Sequence, residues 1–255
     1  MTTFLFLTFS ASLAYSAQQK YRSPCKIHHP SDSRVEFECK RLRAGENIEK
    51  LFGDRWQDVL RFNRVDRRHV YQGIFLKIPK NLKDVEGFTS MPLDYPPAKT
   101  EAKFILVDLS EQFLGAYEFG RLVFSAPIAS GEKPSPTPAG EFKITAADRN
   151  HSSSLYLVEG TPTPYPMHFA LLFYVDKNGV SFWLHGRDFP GYPASHGCIG
   201  LYDEEMQEKF YGFPPDPTLD SAKQLYEWVL FPRHDTGKTI RFEDGPGVWI
   251  VGRAP

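Results

Sequence analysis

The chain has 255 residues with 30 Lys and Arg against 31 Asp and Glu, a formal net charge of -1 that gives no global electrostatic case for nucleic acid or an anionic membrane surface. Apolar residues make up 41 % and charged residues 24 %, enough to bury a core in one large domain or in a small domain followed by a medium one. The 21 Phe, 12 Tyr and 21 Pro suit a β-rich fold with many turns.

Thr3 to Tyr15 is almost uncharged, with Phe4, Leu5, Phe6, Leu7 and Phe9 as its apolar centre and small residues at Ser12, Ala14, Ser16 and Ala17. This predicts a signal peptide over residues 1–17 and export to the periplasm or cell wall, although no Lys or Arg precedes the apolar run; an apolar N-terminal strand or helix is the alternative. The run is too short to cross a bilayer and no other segment could, so the chain is not expected to be an integral membrane protein. The cysteines are Cys25, Cys39 and Cys198. In an exported chain an odd count suggests one pair and one free thiol. Cys25 and Cys39 are close enough in sequence to pair, which leaves Cys198 free; three reduced, buried thiols are the alternative.

Residues 18–34 are polar, carry Pro24 and Pro30, and are expected to form a loosely ordered lead-in. The alternation Val35-Glu36-Phe37-Glu38-Cys39 predicts a half-buried strand. After the turn Arg43 to Asn47, Asn47 can cap a helix with Ile48, Leu51 and Phe52 on one face, ended by Gly53-Asp54. Trp56, Val59, Leu60 and Phe62 predict a second short helix stopping near Asn63, and Ile74 to Pro79 predicts a strand stopped by proline. Residues 35–80 thus read βααβ. With Leu42-Arg43-Ala44-Gly45-Glu46-Asn47-Ile48, Leu51-Phe52-Gly53, Val59 to Asn63 and Gly73 to Pro79, the stretch resembles a LysM module, which implies binding of N-acetylglucosamine-containing glycan strands. The chain departs from that pattern at Glu46-Asn47, where the family often has Asp-Thr or Glu-Thr.

Residues 81–102 hold Pro92, Pro96 and Pro97 and predict a proline-rich linker. From 103 to 255 short strands follow at regular intervals: Phe104 to Leu109, Phe113 to Phe119, Leu122 to Ala129 and Glu141 to Ile144. Asn150 to Pro166 is polar and turn-rich and predicts a surface excursion. Phe169 to Val175 and Val180 to Leu184 flank Asp176-Lys177-Asn178-Gly179, the strongest hairpin signal in the chain. Asp203 to Phe210 and Leu219 to Leu230 predict helices, and Thr239 to Phe242 and Val248 to Val251 predict closing strands. The fold class is therefore mostly β (α+β).

Chemistry concentrates in Trp183-Leu184-His185-Gly186 and Ser195-His196-Gly197-Cys198. A cysteine nucleophile needs a base, a group that orients the base, and donors for an oxyanion. His185 ends a predicted strand, and the Gly- and Pro-rich stretch Pro190 to Pro193 can fold back to bring Cys198 beside it, with His185 favouring the thiolate as an ion-pair partner. Gly197 lets successive backbone N–H groups point at one place. The same residues could be read as zinc ligands (His185, His196, Cys198), but no Cys-x-x-Cys or clear fourth ligand accompanies them, so no metal and no cofactor is expected. A buried structural cysteine is the remaining alternative.

His185-Gly186 followed by Pro193-Ala194-Ser195-His196-Gly197-Cys198-Ile199 resembles the signature of YkuD-type L,D-transpeptidase catalytic domains. The resemblance runs from about Lys103 to Val251 and includes Ile105 to Gln112, Ser130-Gly131 and Thr137 to Phe142. It implies a β-rich catalytic domain acting on peptidoglycan stem peptides. Cys198 would form the thioester and expel D-Ala, and His185 would be the base, its ring held by the Gly186 carbonyl. His196, Gly197 and Cys198 would lend amides to the oxyanion, and Ser195 would support the turn. Trp183, Arg187, Gly200 and His168 complete the expected substrate-binding set. Carbapenem-type inhibitors are expected to acylate Cys198. Family members usually carry Arg or Asn two residues after the cysteine, where this chain has Gly200; Arg187 is a candidate substitute cation. Two further readings are an L,D-carboxypeptidase or wall-protein attachment or detachment enzyme of the same family, and a non-catalytic peptidoglycan-binding protein.

Overall fold

The structure is a computed structural model that describes residues 23–158 and 160–255, so the expected signal peptide at 1–17 lies outside the described residues. The first described segment is not the loose lead-in that its polarity suggested. Pro24–Lys26 and Pro30–Arg34 form 3-10 turns, Cys25 is bonded to Cys39, and Cys198 is a free thiol. Order here comes from buried charge: Asp32 receives Arg64 Nη1 at 3.0 Å and also Lys77 Nζ, deep in the protein.

Strand β1 (Phe37–Arg41) pairs antiparallel with β2 (Phe75–Pro79), and helices α1 (Ile48–Phe52) and α2 (Trp56–Asn63) lie between them in sequence. Asn47 caps α1 as its residue type predicts, its Oδ1 accepting from Lys50 N at 3.0 Å, and Gly53 at φ +52° ends it. Ile48 and Leu60 reach a small core with Leu42, Val65, Ile74 and Leu76, whereas Leu51 faces solvent.

Two five-stranded sheets follow. One runs in the order β5 (Arg121–Pro127), β4 (Phe113–Glu118), β3 (Phe104–Asp108), β14 (Gly247–Val251), β6 (Gly140–Lys143). The other runs β12 (Ile199–Leu201), β11 (Ser181–Gly186), β10 (Ala170–Val175), β7 (Ala146–Asp148), β13 (Ile240–Arg241). Strand outweighs helix, 31 % to 22 %, which makes the mostly-β expectation correct. Between the sheets Ile105, Val107, Leu114, Val248, Leu171, Leu184 and Ile199 pack with Leu225 and Val229 of α4 (Ser221–Leu230), while α3 (Glu204–Tyr211) follows β12.

The alternate residues of the first sheet, Phe104, Leu106, Phe113 and Tyr117, point to its other face. That face needs a cover, and the segment expected as a proline-rich linker, 81–102, supplies it. Val85, Phe88, Met91 and Ala98 are buried there with Phe62 of α2. The run is therefore packed rather than free, because β3 is apolar on both faces. Asn150 to Pro166 also differs from expectation: β8 (Ser152–Leu157) and β9 (Pro164–Pro166) pair as a separate two-stranded hairpin, with Leu155, Tyr156 and Leu157 exposed.

Candidate active site

β11 and β12 are parallel, with Leu184 opposite Ile199 and His185 opposite Gly200. Extending that register by one step puts Cys198 beside Trp183. Side chains alternate across a strand, so Trp183, His185 and Cys198 share one face while Leu184, Ile199 and Leu201 enter the apolar core on the other. The shared face floors a cleft of about 720 Å³ whose walls include Trp183, His185, Arg187, Ser195, His196 and Cys198.

The loop 187–198 is held from three sides. Ser130 O accepts the amides of Ala194 and Ser195, each at 3.0 Å, and Ala129 and Gly200 exchange two backbone bonds at 2.9 and 3.0 Å. Gln112 grips Ser130 at two points, donating from Nε2 to the hydroxyl at 2.7 Å and accepting its amide on Oε1 at 3.0 Å. Ser195 Oγ accepts from Gly197 N at 3.1 Å and donates to the Cys198 carbonyl. Thr137 Oγ1 accepts from Gly131 N at 2.8 Å and donates to Gly197 O at 2.9 Å. Thr137 lies within the Thr137 to Phe142 stretch that carries the resemblance, yet nothing in its residue type announced this bridge.

Gly197 sits at φ +113°, and a Cβ there would come within 2.6 Å of the Phe182 ring, so both the backbone and the space require glycine. Its amide is committed to Ser195. That bond turns the Gly197 amide, expected from sequence to join the oxyanion donors, toward Ser195 Oγ. Gly186 likewise has no room for a Cβ, which would meet Asp203 Oδ2 at 2.3 Å.

His185 Nδ1 lies 2.8 Å from the Gly186 carbonyl oxygen. A carbonyl only accepts, so Nδ1 carries the proton and Nε2 presents its lone pair. Burial, then the charge of Arg187, pulls the imidazole down from 6.5 to about 3, so it is neutral across the physiological range. Burial also pushes the Cys198 thiol up, against a hydrogen bond from the Trp183 backbone and the charge of Arg187, which both favour the thiolate. Burial thus works against the charged form of both members of the thiolate–imidazolium pair expected from sequence.

Other expected residues divide. Trp183 lines the cleft with the His151 ring tilted against it at 4.2 Å, and the exposed His196 stacks with Tyr156 of β8 at 4.4 Å. Ring stacking thus ties the β8–β9 hairpin to the loop that carries Cys198, a contact that sequence spacing did not signal. His168 does not line the cleft: its Nδ1 is 3.4 Å from Asp203 Oδ2, and its carbonyl accepts Gly186 N at 2.8 Å, bracing the strand from behind. Gly200 does not line it either, because the Arg187 side chain covers it. A Cβ at 200 would fall 2.1 Å from Arg187 Cδ and 2.2 Å from Cγ. Arg187 also spans the loop, with Nε donating to Asp188 O at 2.9 Å and Nη2 to Ala194 O at 3.3 Å. Among the described residues no group of three His, Cys, Asp or Glu side chains is arranged to hold a metal ion, and no helix is long and apolar enough to cross a membrane.

Residues 102–247 match the family model of the YkuD L,D-transpeptidase catalytic domain. No curated protein sequence matches the chain. Among solved structures the chain is similar to an L,D-transpeptidase from Stackebrandtia nassauensis, at 22 % identity over 60 % of this chain and 57 % of that one with a TM-score of 0.39. It is similar to an L,D-transpeptidase from Xylanimonas cellulosilytica, at 19 % identity over 85 % of this chain and 98 % of that one with a TM-score of 0.46. A third is L,D-transpeptidase 3 from Mycobacterium tuberculosis in complex with a faropenem-derived adduct, at 19 % identity over 58 % of this chain and 60 % of that one with a TM-score of 0.36. The chain spans little more than half the length of the Stackebrandtia protein.

Proposed function

The chain belongs to the YkuD family of L,D-transpeptidase catalytic domains, and from that membership we propose that it is an exported cysteine acyltransferase acting on peptidoglycan stem peptides. The observation that carries the reading is the His185 ring, fixed by the Gly186 carbonyl in the tautomer that leaves Nε2 basic, in the same cleft as the free thiol of Cys198.

Because burial disfavours both the thiolate and the imidazolium, proton transfer accompanies attack. Cys198 Sγ forms a bond to the peptide carbonyl carbon as Nε2 takes the thiol proton. The amides of His196 and Cys198 stabilise the developing oxyanion. The C–N bond to D-Ala breaks, the imidazolium returns the proton to the leaving amine, and a thioester remains. An amine of a second stem peptide then attacks the thioester carbonyl and gives up a proton to His185, and the sulfur leaves and takes that proton back from the imidazolium. A carbapenem enters the same first step, its β-lactam ring opening on Cys198. The β1-α1-α2-β2 order supports reading residues 35–80 as a LysM-like module for the glycan strand.

Incubation with a disaccharide-tetrapeptide, followed by mass spectrometry, should show D-Ala release, an acyl-enzyme and a cross-linked product. Cys198→Ala should lower the rate by roughly 10³-fold or more. A wild-type protein that releases no D-Ala and carries no acyl group would refute the proposal.

A further inference from the structure

One wall of the Cys198 cleft comes from far upstream. Arg68 and His69 lie in the 3-10 turn Arg67–His69 that follows α2, and both line the cleft that holds His185 and Cys198. The turn is fastened to the catalytic sheets. Val65 bridges Pro190, Tyr202 Oη donates to Val65 O at 2.9 Å, and Asp66 Oδ2 accepts Phe189 N at 2.6 Å and Gln207 Nε2 at 3.0 Å. Asp66 Oδ1 in turn holds the His69 amide at 2.9 Å and its Nδ1 at 2.7 Å.

Arg67 and Arg68 are neighbours with opposite fates. Arg67 is 3 % exposed and fully committed: Nε and Nη2 grip Glu204 at 2.7 and 2.6 Å, and Nη1 reaches Asp216 at 3.2 Å and Glu49 at 3.4 Å. Arg68 is 29 % exposed, gives Nη1 to Asp188 Oδ2 at 2.8 Å, and lies 3.9 Å over the Tyr211 ring. A guanidinium has five N–H donors, so a single carboxylate contact does not saturate it. Asp188 is itself shared, accepting Tyr165 Oη at 2.7 Å and lying 3.7 Å from His69 Nε2. Among the described residues the wall therefore holds the cations Arg68 and Arg187, with His69 beside them, against one cleft-lining carboxylate, Asp188. The other, Asp66, is buried and spends both oxygens on the protein.

We propose that Arg68, with His69 and Arg187, forms a carboxylate-binding subsite that selects the peptide presented to Cys198. The residues between α2 and β2 are then part of the substrate cleft and not only a support. The inference rests on the peptide acyl-transfer reading, since it takes its ligand to be a carboxylate-bearing peptide. A surplus of fixed cation in a partly dehydrated cleft favours an anion, and the planar fork matches a carboxylate in two-point contact.

The test measures binding without turnover. In the full chain carrying Cys198→Ala, calorimetry compares three N-acetylated tetrapeptides: one with free carboxylates, one amidated at the C-terminus and one amidated at the side-chain carboxylate. The free peptide should bind more tightly than one amidated form, which identifies the carboxylate held. Arg68→Gln should weaken the free peptide about tenfold and erase that preference, whereas Arg68→Lys should keep part of it. A merely structural role would weaken all three peptides equally. Equal weakening, an unchanged preference in Arg68→Gln, or no binding of any peptide to the Arg68 protein overturns the proposal. D-Ala release by the Cys198 protein is read separately, so failure of the chemistry and failure of the subsite are distinguishable.

Discussion

The interior between the two five-stranded sheets and the seam that joins residues 23–98 to them are both largely buried, yet they are built from opposite chemistry. Between the sheets the contacts are Ile, Val, Leu and Phe, with cohesion proportional to area and little direction. On the seam Arg64, 1 % exposed, reaches Asp32 at 3.0 Å and Glu111 at 3.4 Å, Lys77 reaches Asp32, and Arg67 grips Glu204. A charge in such a place tolerates only the arrangement that supplies its partner. The seam therefore sets one relative placement of the upstream turn and the cleft, while the apolar interior supplies the cohesion. The chain of contacts is short: Ser31 Oγ meets Glu111, the next residue Gln112 grips Ser130, and Ser130 holds the loop of Cys198.

The sharpest way to break the contrast is to remove one partner. Arg67→Met leaves Glu204, which is wholly buried, without its cation, and urea unfolding should show a loss of about 3–5 kcal/mol. Adding Glu204→Leu should recover most of it, since two apolar groups restore balance. A loss below about 1 kcal/mol for Arg67→Met would mean that the seam adds little beyond contact.

A second, smaller effect follows from protons. His29, on the seam, and His185, in the cleft, are both held at about 3 from 6.5, by burial first and then by Arg64 and Arg187 respectively. Folded-state values below the unfolded one mean that the unfolded chain takes up the extra protons as pH falls through 6.5. Stability is therefore intact above that value and is lost progressively down to about 3, by roughly 2 kcal/mol per histidine near pH 5. Unfolding free energy measured against pH checks this, and His29→Gln should remove about half of the slope. A flat profile between these limits would contradict it.

The smallest effect tests whether the site loop is held like the seam, by polar bridges. Thr137→Val deletes the hydroxyl between Gly131 N and Gly197 O and should cost about 1–2 kcal/mol in unfolding. It should also slow iodoacetamide labelling of Cys198 less than it slows acylation by a carbapenem, because the thiol survives while its loop loosens. Equal slowing of both would mean that the bridge acts on the thiol itself.

Much of the apolar half was legible in sequence. The unbroken run Phe104 to Val107, the Asn178-Gly179 turn and the Asn47 cap each report a local demand that the structure meets. So does Ser195-His196-Gly197-Cys198, where Gly197 is needed for both its φ and its lack of a Cβ. The seam was not legible. Asp32, Arg64, Lys77 and Glu111 are residue types usually found in water, and only their partners, 32 to 80 positions away, make burial tolerable. For the same reason Val85, Phe88 and Met91 looked like scattered residues in a proline-rich stretch rather than a cover. The β8–β9 hairpin escaped because it stands apart from both large sheets, so Leu155 at 69 % and Leu157 at 58 % exposure follow no alternation toward a core. His168 drew attention as a histidine near the site, whereas its work is done mainly through its carbonyl.

The fit of Arg187 over Gly200 carries a consequence for descent. One place beside Cys198 can be filled from β12 or from the end of β11, but not from both, because a Cβ at 200 and the stem of Arg187 would occupy the same volume. A side chain placed at 200 in this chain would then need a smaller or differently directed side chain at 187. A lineage passing from one arrangement to the other must cross an intermediate that either overfills that volume or leaves it empty. The two positions are coupled by shared volume, so a side chain added at 200 requires a change at 187.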